Sequence, residues 1–393
     1  MRILFVADGR SPIALNWMEY IIDAGHEVHL ASTFPHNHRL QFASVKILNV
    51  ALSGNKTIGG AMMDRTKGRI LGSNLRTKIR QWLGPLTLFK PAQDLTAMIA
   101  AIKPDLVHSM RIPFESMVMA LVKPEMPWLI SVWGNDFTLH AKATPLMAHF
   151  TRLALQRATA LHTDCHRDIR LASNWGFSTK KATVVLPGGG GVQMELFHPI
   201  KDTDPERINN IGEYNKVYII NPRGFRAYVR NEAFFQAIPE VLSKYSQAVF
   251  LCPAMAGEDQ AKRWVEQYDV SKSVELLPYQ TRSEMATLFQ KSTITVSPSI
   301  HDGTPNTLLE AMACGCFPVA GDLESVREWI IPGINGLLID PENASMMSRA
   351  IVTALEQPEL LRRARFYNVQ LIRERADYPV VMRKAETFYK QLI

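Results

Sequence analysis

Residues 293–315 read TITVSPSIHDGTPNTLLEAMACG. The β-branched run 293–297 predicts a strand, residues 298–303 a turn, and 306–314 a short helix that Gly315 stops. Gly303 permits a tight turn, and Pro305 and Asn306 suit a helix start. The backbone N–H groups freed at that start form an anion site. Asp302 stands before the helix and Glu310 one turn into it. Two carboxylates flanking an anion site suit a ligand that carries both hydroxyls and phosphates, as a nucleotide sugar does.

Outward from this stretch, strands alternate with helices. The second half predicts strands at 216–221, 247–252, 274–277, 293–297, 316–320 and 336–339. Its helices are expected at 231–244, 257–268, 283–290, 306–314, 323–331 and 343–356, with helical sequence continuing to the end. The first half predicts strands at 2–7, 27–31, 45–50, 105–109, 127–132, 159–163 and 182–186, with amphipathic stretches between several of them. Such alternation predicts α/β domains with parallel sheets covered on both faces. The pattern lapses at 187–215, where Pro187 leads into Gly188, Gly189, Gly190 and Gly191, expected as a hinge. The expected fold is therefore two Rossmann-like domains facing each other across a cleft. The first spans 1–198 and the second 199–375, and a C-terminal helix at 376–393 packs back on the first. Ligands of such sheets bind beyond the carboxyl ends of the strands.

Composition excludes several classes. The 393 residues are 47% hydrophobic and 21% charged, which suits globular domains rather than a disordered or collagenous chain. Four cysteines in this length make no disulfide framework and suit a reducing compartment. No run approaches the ~20 apolar residues that span a bilayer, so a cytoplasmic protein is expected, with contact to the inner face of the cell membrane open to it. The net charge of +7 belongs to the first half, whose residues 1–200 hold 22 basic and 13 acidic residues. Much of the excess lies in 51–90, which implies an acidic partner. No nucleic-acid motif accompanies it.

The Asp302-x7-Glu310 pair followed by Ala311, Met312, Ala313, Cys314 and Gly315 resembles the E-x7-E signature of retaining GT-B glycosyltransferases, family 4 above all. Residues 184–199, 335–338 and 130–136 resemble further family segments in the same order. The resemblance implies transfer of a sugar from a nucleoside diphosphate sugar to a hydroxyl of a glycan or lipid-linked acceptor, with retention and by front-face attack. It implies that Glu310 binds ribose hydroxyls and Asp302 donor-sugar hydroxyls. Gly303, Thr304, Pro305, Asn306 and Thr307 would hold the sugar and diphosphate. Arg223 matches the family's diphosphate-facing Arg. Arg230 replaces its Lys, with Arg226 the competing candidate. The base would be read near Tyr279, and UDP is favoured. Neither metal nor cofactor is expected, since the arginines supply the charge an ion would give.

This chain departs from the family in three places. Asp302 replaces Glu, Trp133 replaces the His before Gly134, and the first loop around Gly9 lacks the usual pair of glycines. Gly9, His108, Trp133 and Asp136 are expected to contact substrate. His108 has core packing as its alternative, and Asp136 a helix N-cap. The sugar, base, acceptor and oligomeric state stay open. Two other functions stay open as well: a nucleotide-sugar epimerase or hydrolase of the same fold, and a non-catalytic subunit of a glycan-assembly complex. In residues 61–90, Leu75, Ile79, Trp82 and Leu83 recur at helical spacing among Arg76, Lys78 and Arg80. That pattern suits an anionic membrane surface, and a lipid-linked acceptor in polysaccharide or lipopolysaccharide biosynthesis.

Overall fold

A computed structural model describes residues 1–36, 40–50, 78–123, 125–200 and 216–393. The chain divides into two units, one of Met1–Gly191 with Val381–Ile393 and one of Val192–Val380. Much of the basic segment (51–77) and the linker holding Asp202 and Asp204 (201–215) lie outside the described residues.

The first unit is built on strands β1 (Arg2–Ala7), β2 (Glu27–Ser32), β3 (Ser44–Ile47), β4 (Leu106–Met110), β5 (Trp128–Val132), β6 (Ala160–Thr163) and β7 (Ala182–Val185). They form one sheet in the order β3-β2-β1-β4-β5-β6-β7, every pair parallel. Strands β4, β5 and β6 are buried at every position. That is why each reads as an unbroken mostly apolar run rather than as an alternation. The order reverses between β1 and β4, so the loops after these two strands diverge and leave a crevice at their carboxyl ends.

Helix Pro145–Arg157 was not expected from the sequence. Thr144 caps it, with its hydroxyl accepting from the Met147 N–H, and Pro145 occupies its first turn. Its buried positions 147, 150, 151, 154 and 155 have helical spacing. Helix Tyr378–Leu392 tolerates Pro379 because the proline lies in its first turn, where no N–H is needed. Its buried residues Val381, Met382, Ala385, Phe388 and Tyr389 repeat the same spacing. From Val381 onward it belongs to the first unit.

The second unit holds β8 (Tyr218–Ile220), β9 (Val249–Cys252), β10 (Val274–Leu276), β11 (Ile294–Ser297), β12 (Phe317–Gly321) and β13 (Leu337–Ile339). Their order is β10-β9-β8-β11-β12-β13, again all parallel. Side chains alternate across the sheet. Phe250 and Cys252 join one apolar cluster with Phe234, Trp264 and Ile351. Val249 and Leu251 join another with Phe289, Leu308 and Met312. Both faces are therefore covered. The expected helix at 323–331 is a run of turns instead. Its Val326 and Trp329 N–H groups donate to the third residue back, to Leu323 and Val326. Its indole leaves the run, since Trp329 Nε1 donates to Thr304 Oγ1 at 3.1 Å.

The glycine run ends the first unit. Gly190 and Gly191 have φ of 80° and 100°, a region that a side chain would strain.

Candidate functional site

In the second unit the loops after β8 and β11 lie side by side at the switch point. Arg230 N–H donates to Pro298 O at 2.8 Å and Ile300 N–H to Tyr228 O at 3.0 Å, so the two loops are zipped together. Within the first loop, Asn221 Nδ2 donates to Asn231 Oδ1 and Asn231 Nδ2 to Gly224 O, both at 3.0 Å. This buried amide pair fixes Arg223 between its ends. Arg223 is 5% exposed. Its Nη1 donates to Thr307 Oγ1 at 3.0 Å and its Nη2 to Asp302 Oδ2. Its Nε is buried and makes no hydrogen bond among the described residues.

Helix Asn306–Ala313 starts beside this pair. Pro305 is its N-cap rather than its first residue, and no side chain caps it. Among the described residues the N–H groups of Asn306 and Thr307 have no acceptor, while those of Leu308 and Leu309 turn back to Pro305 O. The open N-terminus and the Arg223 guanidinium make a positive pole that suits a diphosphate. The 302–305 loop is braced from behind, with Ser325 Oγ donating to Asp302 O at 2.9 Å. Gly303, Thr304 and Pro305 are buried there, and Thr307 is half-buried.

Glu310 is half-buried on the same helix. Burial pushes its carboxyl up to about 7, against the pull of Arg282. Arg230 is turned away from this set. Its Nε donates to Glu342 Oε1 at 2.7 Å and its Nη1 to Ala227 O at 3.0 Å. Arg226 is exposed, and its side chain makes no hydrogen bond or ion pair among the described residues. Tyr279 follows β10 and is 83% exposed. The structure thus joins Arg223, Asp302 and Thr307 directly, and adds neither Arg230 nor Tyr279 to that hydrogen-bonded set.

In the first unit, two expected substrate contacts are corrected. His108 has no exposed surface, and both its ring nitrogens are used. Tyr389 O–H meets Nδ1 at 2.5 Å and Ser131 Oγ meets Nε2 at 2.6 Å. It belongs to the core because its side chain points into the sheet face covered by Trp17 and Tyr389. Asp136 is also fully buried. Its Oδ1 accepts from Arg111 Nε and Nη2 at 3.2 and 2.9 Å, and its Oδ2 from the N–H groups of Ile112 and Trp133. Both oxygens are engaged by the protein. Asp136 therefore positions Arg111, a residue the sequence reading missed.

Gly9 is buried with its N–H on Ser32 Oγ at 3.0 Å, and a Cβ there would stand 2.5 Å from the His36 ring. Trp133 is half-buried, with the Arg111 Cζ 5.3 Å from its ring. Of the described part of the 61–90 segment, 78–83 is helical, Gly84–Thr87 is a 3-10 turn, and helix Phe89–Ile102 begins at its end. Ile79, Trp82, Leu83, Leu86 and Phe89 are exposed, as are Lys78 and Lys90. Arg80 turns inward, over the rings of Phe34 and Phe114. Leu75 and Arg76 lie outside the described residues. Among the described residues, no helix is long and apolar enough to cross a membrane. Among the described residues, one set of ligand atoms, on Asp164, Cys165 and Asp168, is close enough to share an ion. Arg167 already pairs with Asp168 at 2.9 Å, and burial pushes the Cys165 thiol up, so the set is a poor metal site.

Residues 2–164 match the family described as glycosyl transferase 4-like, and residues 206–369 match glycosyl transferases group 1. A phosphatidyl-myo-inositol mannosyltransferase of Mycolicibacterium smegmatis is 22% identical over 90% of this chain and 83% of its own length. An N-acetylgalactosaminyltransferase of Campylobacter jejuni that acts on N,N'-diacetylbacillosaminyl-diphospho-undecaprenol is 38% identical. That match covers only 20% of this chain and 21% of the relative. A D-inositol 3-phosphate glycosyltransferase of Mycolicibacterium paratuberculosis is matched over 24% of its length and 26% of this chain, at 28% identity. Among solved structures, sucrose-phosphate synthase of Thermosynechococcus elongatus superposes with a TM-score of 0.76 at 16% identity, over 100% of this chain and 99% of that one. Anabaena HepE, solved with UDP-glucose, gives 0.69 at 15% identity, over 99% of this chain and 100% of that one.

Proposed function

The chain belongs to the GT-B glycosyltransferases of the family 4 type, and on that premise we propose that it moves a sugar with retention from a nucleoside diphosphate sugar, UDP-linked in our reading, to a hydroxyl of a glycan or lipid-linked acceptor. The observation that carries this is the buried Arg223, joined to Asp302 and Thr307 beside the open start of helix Asn306–Ala313. A guanidinium fixed before the ligand arrives stabilises a departing diphosphate without reorganising. Glu310 takes the ribose hydroxyls and Asp302 those of the donor sugar. The leaving phosphate itself takes the acceptor proton, so no side-chain nucleophile is needed.

The first unit takes the acceptor. Its exposed stripe of Ile79, Trp82, Leu83, Leu86 and Phe89, with Lys78 and Lys90, supports reversible contact with the anionic inner face of the cell membrane. The test is incubation with UDP, GDP and ADP sugars, with and without glycan and polyprenyl-phosphate acceptors, followed by NMR of the product's anomeric proton. Transfer with the donor's configuration supports the proposal. An inverted product, epimerised or hydrolysed donor alone, or no reaction with any donor overturns it. Unchanged turnover by Glu310→Ala overturns the site assignment.

A further inference from the structure

The first unit carries a cavity of about 280 Å³ that the donor site does not use. It stands at the switch point, where Arg10 follows β1 and Arg111 follows β4. Three guanidinium groups line it. Arg10 is paired with Asp8 at 2.9 Å and Arg111 with Asp136 at 2.9 Å, while Arg80 has no acidic partner among the described residues. The Arg10 Cζ lies 3.6 Å from the Phe34 ring centroid. The Arg80 Cζ lies 4.9 Å from the same centroid and 5.1 Å from that of Phe114. Two cations sharing one ring repel each other, and partial burial weakens the screening that water would give.

Two donors on the cavity wall are unmatched among the described residues. Arg80 Nε and Trp133 Nε1 are both buried and make no hydrogen bond among the described residues. Unmet buried donors are rare in folded proteins, and each calls for a ligand or a water. The wall also stores strain. Arg111 has φ 114° and Phe114 φ 72°, both in the region that favours glycine. The remaining groups offset the positive charge only in part. Glu115 accepts from Thr33 Oγ1 at 2.6 Å, and burial pushes its carboxyl up to about 7. Burial also holds His140 below the ordinary histidine range, hence neutral.

We propose that this cavity binds an oxyanion carried by the acceptor, a phosphate or a carboxylate, held by Arg10, Arg80 and Trp133 Nε1, with Arg111 adding charge from its place on Asp136. Guanidinium forks match such oxygens in pairs, which makes arginine the fitting residue. The inference rests on the reading of the first unit as the acceptor side, and it narrows the acceptor to an anionic one. A soluble sugar phosphate or uronate and a lipid headgroup share this chemistry.

Calorimetric titration tests it with inorganic phosphate, glucose 6-phosphate, glucuronate and glucose, in wild type and in Arg223→Ala, which disables the donor site. UDP is titrated separately, so a failed donor reading shows there and leaves the cavity test intact. The expected result is binding of at least one anion about tenfold or more tighter than glucose. That preference survives Arg223→Ala, is lost in Arg80→Gln and in Arg10→Gln, and partly returns in Arg80→Lys. If the soluble anions fail, sedimentation with phosphatidylglycerol vesicles that depends on Arg10 and Arg80 assigns the oxyanion to a lipid headgroup. Anion binding that is lost in Arg223→Ala but kept in Arg80→Gln overturns the proposal. So does the absence of any anion or vesicle binding that depends on Arg10 and Arg80.

Discussion

The Tyr389 hydroxyl donates to His108 Nδ1 at 2.5 Å, joining the end of the chain to the middle of the first sheet. The bond is one link of a directed series. The Leu186 carbonyl can only accept, so His162 Nε2 carries the hydrogen at 2.9 Å. His162 Nδ1 then accepts from Ser131 Oγ at 2.7 Å, and Ser131 accepts from His108 Nε2 at 2.6 Å. Tyr389 completes the series by accepting from Trp17 Nε1 at 2.7 Å. Every member is satisfied when both histidines are neutral, and burial holds both well below the ordinary histidine range.

Tyr389→Phe keeps the shape and removes the hydroxyl. It leaves Trp17 Nε1 and His108 Nδ1 buried without this partner. An unsatisfied buried group costs about 1–3 kcal/mol. The expected outcome is a loss of stability of that order in the first unit, read as a lower urea midpoint. An unchanged midpoint would show that the series contributes nothing.

The same series sets a pH dependence. Unfolded histidine takes its proton near 6.5, whereas folded His162 resists until about 4. Between those values the unfolded state binds more protons, so stability falls as pH falls, by roughly 3 kcal/mol, and levels off below about 4. Glu115 and Glu310, pushed up from 4.5 to about 7, slope the other way. The measurement is therefore the difference in unfolding free energy between wild type and His162→Gln. It should narrow steadily as the pH drops from 6.5 to 4.

If Glu310 holds the ribose as proposed, nucleotide binding should depend on pH. With its carboxyl near 7, Glu310 is partly protonated in the free protein at neutral pH, and the carboxylate is the stronger acceptor for ribose hydroxyls. Affinity for UDP should rise with pH up to about 7 and fall below it toward the level of Glu310→Gln. Glu310→Gln should flatten the profile and weaken binding above pH 7 by about 1.5–3 kcal/mol. Calorimetry across pH 5.5–8.5 reads both effects, and a flat wild-type profile would remove Glu310 from the ribose.

The strands were legible because parallel strands covered on both faces read as unbroken apolar runs; Leu106–Met110 and Val249–Cys252 are buried throughout. Helix Pro145–Arg157 was legible in principle from Thr144, Pro145 and its spacing, but its polar face hid it. The segment 323–331 has apolar spacing like a helix, yet Trp329 leaves it to reach Thr304. In the site, Arg223, Asp302 and Thr307 could be named because they sit in short contiguous motifs. The cavity could not, since Arg10, Arg80 and Arg111 come from separate stretches that only the strand order brings together. A strand end also fails to say whether a side chain faces solvent or core. For His108 the structure shows the alternative, core packing, while Asp136, four residues past β5, is buried against Arg111, a partner its own stretch does not reveal.

Arg223 should be irreplaceable by lysine, and the reaction should run without a divalent ion. The guanidinium reaches Thr307 and Asp302 from separate nitrogens and keeps Nε unpaired, so one cation both orders the loop and faces the place where diphosphate charge would develop. A lysine ammonium keeps the charge but not the fork. Removing a preorganised donor of this kind costs roughly 10²–10³-fold in kcat. Arg223→Lys should therefore lower kcat toward that range with a smaller change in donor KM, and Arg223→Ala should lower it further. Asp302 is already engaged by Arg223, and Glu310 is partly protonated, so this pair is poorly suited to holding a divalent ion. Wild-type turnover should persist in millimolar EDTA. Activity that vanishes in EDTA and returns with magnesium or manganese would show that an ion, not Arg223, carries the leaving-group charge.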